Sequence, residues 1–255
     1  MTIVEMKKEA KDLEYEIEQG EIEYFFNPKK HDYNVLFEQW KDAMWTFVTT
    51  SLGVTQENLR WRVHSDEERS FYSTRTEDLV YQFPFGFKEL WGLAYRTNYD
   101  LSQHIKHSGK DLSVLDQETN EKFVPHVIEP AVGINRLMLM VLCDSYWFDE
   151  EKQRTVLRLP KHLAPFKAAV FPLVANKPEL VAKAKEVFGS LSQQMRVAWD
   201  DRGNIGKRYL SQDEIGTPHC ITVDYQSLED NTVTVRDRDS ATQQRLSIEQ
   251  LKELV

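Results

Sequence analysis

Cysteine is scarce in this sequence, and no apolar run is long. The 255 residues include two cysteines, Cys143 and Cys220, and neither belongs to a CxxC pair. Both lie among apolar residues, so neither a zinc ribbon nor a disulfide framework is expected. No stretch of about 18 apolar residues occurs, which argues against a transmembrane helix. The first residues also lack the apolar core of a signal peptide. These absences favour a cytosolic protein.

Positively charged residues are fewer than negatively charged ones. The sequence holds 32 Lys and Arg against 41 Asp and Glu, which gives a net charge of −9. The overall field therefore does not steer the protein toward nucleic acid, and any RNA binding requires a local basic patch. On charge alone, a protein that binds no nucleic acid is the simpler interpretation. The hydrophobic share of 41% is that of a globular protein with one large or two medium domains.

One stretch organises the first half, and it reads VIEPAVGINRLMLMVLCDSYW over residues 127–147. Pro130 cannot donate a ladder hydrogen bond, so we expect its strand to end or bulge there. Gly133 permits a tight turn, and the apolar run after Arg136 predicts a core helix buried on all sides. Arg136 then lies in the first helical turn, where free backbone N–H groups suit an anion. A purely structural role for Glu129 and Arg136 is the alternative.

The segment before residue 27 predicts a carboxylate-rich strand. In LEYEIEQGEIEYFF, which begins at Leu13, acidic residues occur on both faces of an alternating pattern. An exposed edge strand without a functional role is the alternative interpretation. Beyond it, apolar residues recur at helical spacing over residues 31–52, with Gly53 as the expected C-cap.

Two histidines, His104 and His107, occupy positions i and i+3 of a predicted polar helix. Imidazoles at this spacing share one helix face, so a metal site is geometrically possible. The sequence offers no evident third ligand, and a solvated helix face is the favoured interpretation.

The pattern changes after Arg158, where we place a domain boundary. Strands and helices then alternate, which predicts a three-layer α/β unit. A charged connection at 149–160 leads into predicted strands at 167–173 and 196–199, helices at 178–195 and 204–215, a hairpin of strands 220–225 and 232–236, and a closing helix at 247–254 with a Ser247–Gln250 capping box.

The stretch from Val127 resembles motif 3 of the class II aminoacyl-tRNA synthetases. It is most similar to that of the glycyl-tRNA synthetases, which read V-I-E-P-S-x-G-x-[DN]-R. Glu129, Gly133 and Arg136 match this pattern, whereas Ala131 stands in place of the family's Ser. The resemblance implies that Arg136 grips the ATP phosphates. It also implies that Glu129 and the residue at position 131 hold the glycine substrate.

The carboxylate-rich strand resembles the second strand of motif 2 in the same family, R-E-F-x-Q-x-E-I-E-x-F. The matching residues are Gln19, Glu21, Ile22, Glu23 and Phe25. The resemblance implies that an acidic residue here, Glu21 or Glu23, binds the substrate ammonium group. It also places Ile17 and Gln19 at the ATP site. Ile17 replaces the Phe that stacks on adenine, and an isoleucine offers a purine no π face.

Residues 83–112, FPFGFKELWGLAYRTNYDLSQHIKHSGKDL, resemble the family run F-P-F-G-x-x-E-L-x-G-I-A-x-R-T-D-[FY]-D-L. The resemblance makes Glu89 and Arg96 candidates for catalysis together with Arg136. Glu89 is implied to meet ATP or its Mg²⁺, and Arg96 to orient the site. A structural role in a buried ion pair is the alternative for Glu89 and Arg96.

The second half resembles the family's anticodon-binding domain, on the runs GNIGKRY, QDEIGTP and EDNTVTVRDRD. The resemblance implies tRNA contacts through four cations, which are Lys207, Arg208, Arg236 and Arg238. A surface balanced by neighbouring aspartates is the alternative. The family usually carries two Arg before Gln212, where this chain has Leu210 and Ser211, and this difference predicts weaker binding.

These resemblances imply an α+β protein. Residues 1–158 are expected to form a partial class II synthetase domain with an antiparallel sheet and helices, and residues 159–255 an α/β anticodon-binding domain. The family reaction joins glycine to its tRNA with ATP and Mg²⁺, and zinc is not expected. Motif 1 and the first strand of motif 2, with its phosphate-binding Arg, are not found in this chain. We therefore expect the chain to be weakly active or inactive alone.

Two hypotheses remain open. In the first, the chain is a glycine–tRNA ligase that acts with an N-terminal partner fragment or as a homodimer. In the second, it is a non-catalytic paralogue that serves as a tRNA-binding or protein-binding accessory factor. The implied partners are glycine, ATP and glycine tRNA, while DNA and membranes are not expected. The cytoplasm is the expected location.

Overall fold

The structure, a computed structural model, describes residues 18–254. By its contacts the chain divides into two compact units, Met1–Asp144 and Ser145–Val255. The boundary predicted after Arg158 concerns functional domains and stays a prediction.

The first unit is built on an antiparallel sheet. Its described elements are β1 (Gln19–Glu21), β2 (Tyr24–Phe26), α1 (Tyr33–Thr46), a π-helical turn (Phe47–Ser51), a 3₁₀ turn (Gln56–Asn58), β3 (Leu59–Val63), β4 (Arg75–Phe83), β5 (Gly86–Thr97), α2 (Tyr99–Ser108), β6 (Val114–Leu115), β7 (Lys122–Phe123), β8 (His126–Gly133) and α3 (Ile134–Ser145). Among these residues the sheet order is β1-β8-β5-β4-β3, and β2 also pairs with β8. Strands β6 and β7 form a separate small hairpin.

Helix α1 packs on one face of this sheet, as its apolar spacing predicts. The Asp32 side chain accepts a hydrogen bond from the Asn34 amide at 2.8 Å and caps the helix N-terminus. Phe37 is fully buried and belongs to the same core cluster as Leu93 of β5. Gly53, with φ 69°, follows the helical segment, in agreement with its predicted capping role.

Strand β8 does not end at Pro130, contrary to the sequence expectation. It runs on to Gly133, and the interruption falls on the neighbouring side, where β1 and β2 are separate short strands. The gap between them lies opposite Glu129 and Pro130, because β1 pairs with residues 131–133 and β2 with residues 126–128. A proline lacks an N–H and is tolerated where the partner strand is broken.

Helix α3 is not buried on all sides, which corrects a second expectation. Met140 is fully buried against the sheet. Ile134, Met138 and Leu142 are instead 43%, 64% and 38% exposed, and they form one stripe at intervals of four residues. An unbroken apolar run identified the helix but not its buried face, since that face depends on which side meets the sheet.

The second unit is the three-layer α/β arrangement that the sequence predicts. Its described elements are β9 (Tyr146–Asp149), β10 (Arg154–Leu157), β11 (Ala168–Pro172), α4 (Pro178–Ser192), β12 (Val197–Trp199), α5 (Ile205–Glu214), β13 (His219–Val223), α6 (Tyr225–Asp230), β14 (Thr232–Asp237), β15 (Gln243–Ser247) and a 3₁₀ helix (Glu249–Leu254). Within the described residues the main sheet has the order β12-β11-β13-β14-β15. Val170 of β11 packs with α4 residues on one face, and Phe171 packs with α5 residues on the other.

Several details of this unit differ from the sequence prediction. The charged connection predicted at 149–160 contains part of the antiparallel hairpin of β9 and β10. Strands β13 and β14 are antiparallel neighbours as predicted, but helix α6, capped by Asp224, connects them. Strand β15 was not predicted. The closing helix is a 3₁₀ helix, and it keeps the predicted reciprocal hydrogen bonds between Ser247 and Gln250.

Candidate functional site

One face of the first unit's sheet carries small and charged side chains in register. Strand pairing sets side by side, from β3 to β1, the residues Arg62, Asp78, Gly92, Ala131 and Glu21. Because side chains alternate along a strand, Ala94 and its partner Glu129 lie on this face as well. The opposite face holds apolar residues that pack with the helices. We call the polar face the site face.

Glu129 lies on the site face between a cation and a second carboxylate. Its Oε2 accepts a hydrogen bond from Arg96 Nη1 at 2.7 Å, and its side chain is 12% exposed. Burial raises the pKa of Glu129 to about 7, a hydrogen bond with Glu23 adds to the rise, and the charge of Arg96 opposes it. A carboxyl group that titrates near neutrality is typical of a functional site.

Arg96 is fixed from two further sides. Its Nε and Nη2 donate to the carboxylate of Asp100 at 2.7 and 3.0 Å, and its guanidinium carbon lies 4.1 Å from the centroid of the Tyr72 ring. The hydrogen bond with Asp100 raises the pKa of Arg96 above its ordinary value. This bidentate pair holds in place the guanidinium group that meets Glu129.

Glu89 lies on the site face because β5 contains a bulge. The pairing of β4 with β5 shifts register between Leu79 and Val80, so β5 has one extra residue there. Leu90 is buried in the core, and the Glu89 side chain approaches Gly92 on the polar side. Bulges beside functional sites commonly redirect a side chain in this way.

Arg136 meets Glu89 from the start of α3. Its Nη1 donates to the Glu89 carbonyl at 3.1 Å and lies 3.6 Å from Glu89 Oε1. The Arg136 side chain is 32% exposed. The three predicted catalytic residues thus occupy one face, with Glu89 against Arg136 and Arg96 against Glu129.

Asp78 was not among the predicted site residues, yet the structure places it on the site face. Its side chain is 3% exposed, and its Oδ2 accepts a hydrogen bond from Arg62 Nη2 at 2.8 Å and lies 2.6 Å from His64 Nε2. Asp100 and Gly92 were missed as well. For Gly92 the sequence did contain a usable signal, because a glycine inside a long strand pattern often marks a functional position.

The remaining predicted site residues of this unit lie at the sheet edge and on α2. Gln19, Glu21 and Glu23 are exposed on or beside β1, whereas Ile17 lies outside the described residues. His104 and His107 are exposed. Within residues 18–254 no group of three or more His, Cys, Asp or Glu side chains is arranged to hold a metal ion. Across the same residues no helix has the length and apolarity needed to cross a bilayer.

The four predicted tRNA-binding cations do not form one exposed patch. Lys207 is exposed on α5. Arg208 is 1% exposed and donates to backbone carbonyls, including that of Pro172 at 2.6 Å. Arg236 is 6% exposed and pairs with Asp213, and Arg238 is 3% exposed. The three arginines support the interior of the unit, so their guanidinium groups are not available as surface cations.

Glu129→Gln is expected to make the protein more stable, and more so at high pH. The folded pKa of Glu129 is about 7, above the ordinary 4.5. The folded state therefore binds more protons between these values, and wild-type stability falls as pH rises through them. The neutral amide avoids this loss. Because solvent screens part of it, we expect a gain of about 1–2 kcal/mol at pH 8 that largely disappears by pH 4.5.

Urea unfolding curves at the two pH values measure this difference. Glu67→Gln, at an exposed position of the same unit, is the control for the Glu-to-Gln substitution itself and is compared with wild type at the same two pH values. A difference between Glu129→Gln and wild type that does not vary with pH would show that Glu129 titrates normally.

Comparison with known proteins shows which proteins have a similar fold. A crystal structure of prolyl-tRNA synthetase from Cryptosporidium parvum, complexed with L-proline and AMP, covers 92% of this chain with a TM-score of 0.67 and 17% identity, and the match spans 49% of that chain. Residues 167–255 match the family model described as an anticodon binding domain. The fold is that of a class II aminoacyl-tRNA synthetase.

Proteins of similar sequence narrow the comparison to one kind of aminoacyl-tRNA synthetase. The glycine–tRNA ligase of Clostridium tetani is 53% identical over 241 residues, which are 92% of this chain and 50% of that protein. The glycine–tRNA ligase of Streptomyces coelicolor is 48% identical over 247 residues, covering 93% of this chain and 53% of that protein. The predicted resemblance is confirmed: the chain is a homologue of glycine–tRNA ligases and spans about half of their length.

Proposed function

We propose that this chain supplies the glycine-binding face and the anticodon-binding domain of a glycine–tRNA ligase. The observation that carries the proposal is the placement of Glu129, Arg96, Glu89 and Arg136 on one sheet face beside Gly92 and Ala131. The anticodon-domain match and the identity of about half the residues with glycine–tRNA ligases support it.

Each residue then has a role in binding glycine and ATP. Carboxylates of Glu129, Glu21 and Glu23 attract the glycine ammonium group, and Ala131 lies beneath the substrate. Arg136 neutralises phosphate charge, which is the main contribution a protein makes to such chemistry. Gln19 and Ile17 belong to the proposed ATP site. The oxygens of Glu89 and Asp78 fit a hard cation such as the Mg²⁺ that accompanies ATP.

The charge of the site face limits what these residues do alone. Arg96 is paired with Asp100 and Glu129, and Arg62 with Asp78. ATP brings roughly four negative charges, and such phosphates require cations that are not already paired. Chemistry at a normal rate therefore needs further cations from residues outside this span. An accessory protein that binds tRNA without catalysis is the second candidate, favoured by the acidic face.

The 255-residue chain alone is expected to show little glycine-dependent ATP–pyrophosphate exchange, with a rate about 100-fold or more below that of the Clostridium tetani ligase, since one missing electrostatic contact alone costs about that factor. The assay measures labelled ATP formed from pyrophosphate at matched protein concentrations. Arg136→Ala tests whether any residual exchange comes from the proposed site, and this variant should abolish that exchange.

Three outcomes of this assay are informative. Exchange that appears when the unmatched half of the Clostridium tetani ligase is added supports the ligase role. Exchange by the chain alone at the rate of the intact relative would refute the charge argument. A chain that binds tRNA but shows no exchange even with the added half is an accessory protein.

Binding of glycine tRNA to the second unit is expected to be weak. Lys207 and Arg202 are exposed cations of this region, so binding should release on the order of two counterions and depend little on salt. Leu210→Arg with Ser211→Arg adds two charges to the α5 surface that carries Lys207. We expect this double variant to bind tighter by about 1–3 kcal/mol, measured by filter binding at two salt concentrations.

A second double variant controls for charge alone. Gln226→Arg with Leu228→Arg adds the same charge at exposed positions of α6 and should have a smaller effect. Equal gains from both variants would mean a nonspecific electrostatic effect. A tRNA with a changed anticodon should bind less tightly than glycine tRNA if the surface reads the anticodon.

A further inference from the structure

The side of helix α3 that faces away from the sheet carries an apolar stripe, formed by Ile134, Met138 and Leu142. Their exposed fractions of 43%, 64% and 38% mean that much of this surface meets water. The three side chains follow one another at intervals of four residues, so they form a continuous strip on the helix. At a rise of about 1.5 Å per residue, the stripe is about 12 Å long. Covering it would stabilise the protein, because apolar surface is removed from water.

The chain passes the start of this stripe just where its described part begins. The Glu18 carbonyl accepts a hydrogen bond from the Ile134 amide at 3.1 Å. Strand β1 is antiparallel to β8, with residues 19–21 opposite residues 131–133. Traced toward lower residue numbers, the chain therefore leaves β1 at the end of β8 from which α3 begins. The segment of residues 1–17 is thus attached beside the first residue of the stripe.

The sequence at the beginning of this segment predicts an amphipathic helix. Residues 2–13 read TIVEMKKEAKDL, in which Thr2 and Glu5 have the spacing of a capping box and most of the other residues are strong helix formers. Apolar residues recur at steps of three, four and three, at Ile3, Met6, Ala10 and Leu13. An isolated helix of this length is only marginally stable in water, so a stable one needs an apolar surface on which to pack.

We propose that residues 3–13 form a helix that covers the α3 stripe, with the two helices antiparallel. Leu13 then lies near Ile134, where the chain is attached, and the earlier turns of the helix follow α3 toward Leu142. Eleven helical residues are about 16 Å long, which is enough to cover the stripe. Residues 14–17 are the connection, and four extended residues reach about 13 Å, which exceeds the roughly 8–10 Å between the axes of two packed helices.

A segment of the same chain has an advantage over a separate partner for this surface. Because it is attached beside the stripe, its effective concentration there is on the order of millimolar. A second copy of the chain would need a comparable concentration to compete. The stripe is therefore covered by the chain's own residues, and this inference does not depend on the proposed ligase function.

Hydrogen exchange of the full 255-residue chain, followed by mass spectrometry on peptides from residues 3–13, tests the proposal. We expect these amides to exchange at least about tenfold more slowly than in a synthetic peptide of residues 1–17, which measures helix formation without α3. Met138→Glu should abolish most of this protection, because a charge in the stripe is costly to cover. Val35→Glu is the matched control, since Val35 is a 56% exposed apolar residue of α1, and it should leave the protection unchanged.

A second pair of variants tests the segment itself. Met6→Glu and Lys8→Gln change the net charge by the same amount, but only Met6 belongs to the apolar pattern. Met6→Glu should lose the protection of residues 3–13, whereas Lys8→Gln should keep it. Thermal unfolding of all four variants checks that the rest of the chain stays folded.

Each outcome decides the proposal. Exchange of residues 3–13 at the rate of the free peptide in the wild-type chain would overturn it. Protection that persists in Met138→Glu would overturn it as well, because the segment would then pack elsewhere. Sedimentation at several concentrations identifies the competing occupant: a dimer that dissociates in Met138→Glu, with residues 3–13 unprotected, would assign the stripe to a second copy of the chain.

Discussion

Asp213→Asn is expected to lower the unfolding free energy of the second unit by about 3–5 kcal/mol. Asp213 is fully buried and bonds to two arginines. Its Oδ1 and Oδ2 accept hydrogen bonds from Arg236 at 2.8 and 2.9 Å, and Oδ2 also accepts one from Arg154 at 2.8 Å. The neutral amide removes the carboxylate partner of the buried Arg236 and leaves the buried Arg154 with Asp149 alone. Buried charges that lose their partner are costly.

This cluster connects three elements that are distant in sequence. Arg154 belongs to β10, Asp213 to α5 and Arg236 to β14. Arg154 also pairs with Asp149 at 3.1 Å and donates to the Arg238 carbonyl at 2.8 Å. Loss of the central carboxylate therefore loosens the contact of the β9–β10 hairpin with α5 and β14.

Urea unfolding followed by circular dichroism measures the effect. The control is Glu186→Gln, whose side chain is 68% exposed and pairs with Lys183, and it should cost less than about 1 kcal/mol. If Asp213→Asn were as mild as this control, the cluster would contribute no more than a surface pair. The double variant Asp213→Leu with Arg236→Met should recover part of the loss, because a paired apolar replacement leaves fewer charges buried.

Gly216→Ala is expected to be nearly as damaging, with a loss of about 2–4 kcal/mol. Gly216 follows α5 with φ 81°, a conformation that side chains rarely adopt. An added Cβ would also meet Leu159 Cδ1 at 2.9 Å and the Leu157 carbonyl oxygen at 3.0 Å. The leucine side chain can move, but the backbone carbonyl of β10 cannot move without disturbing its strand.

The matched control is Gly189→Ala on α4, where no neighbouring atom lies within 4 Å of the added Cβ. There alanine should be neutral or stabilising, because it favours the helix. Thermal and urea unfolding of both variants compare the same chemical change in two environments. Equal stabilities for the two would exclude both the strain and the contact as causes.

The sequence predicted the elements that depend on neighbours along the chain. Apolar spacing and local hydrogen bonds predict the helix of residues 31–52, the following Gly53 and the Ser247–Gln250 box. The structure contains Gly53 after the helical segment and the box, and the predicted helix is α-helical over Tyr33–Thr46 and π-helical over Phe47–Ser51. The same local rules failed at Pro130. Pro130 does lack the N–H that a neighbouring strand would need. Strand β8 nevertheless continues through it, because the neighbouring strands β1 and β2 are interrupted opposite this position.

In the candidate site, too, some residues were predicted from local sequence and others are recognised only in the tertiary structure. Motif resemblance singled out Glu129, Arg136, Glu89 and Arg96, and each lies on or beside the site face. Asp78 and Gly92 reach that face through the register of three strands, and the bulge in β5 is what brings Glu89 to it. Register and bulges arise from pairing between distant segments, which no single stretch of sequence specifies.

The sequence by itself determined that this protein is a homologue of glycine–tRNA ligases with an anticodon-binding domain, because those motifs are contiguous runs of residues. Only the tertiary structure decided which charged side chains reach solvent. Arg208 is the direct neighbour of Lys207 in the sequence, yet Arg208 is buried, as are Arg236 and Arg238, whereas Lys207 is exposed. The physical reason is that burial of an arginine depends on whether carboxylates and carbonyls converge on it in space. For Arg236 that convergence comes from Asp213 on another element of the fold.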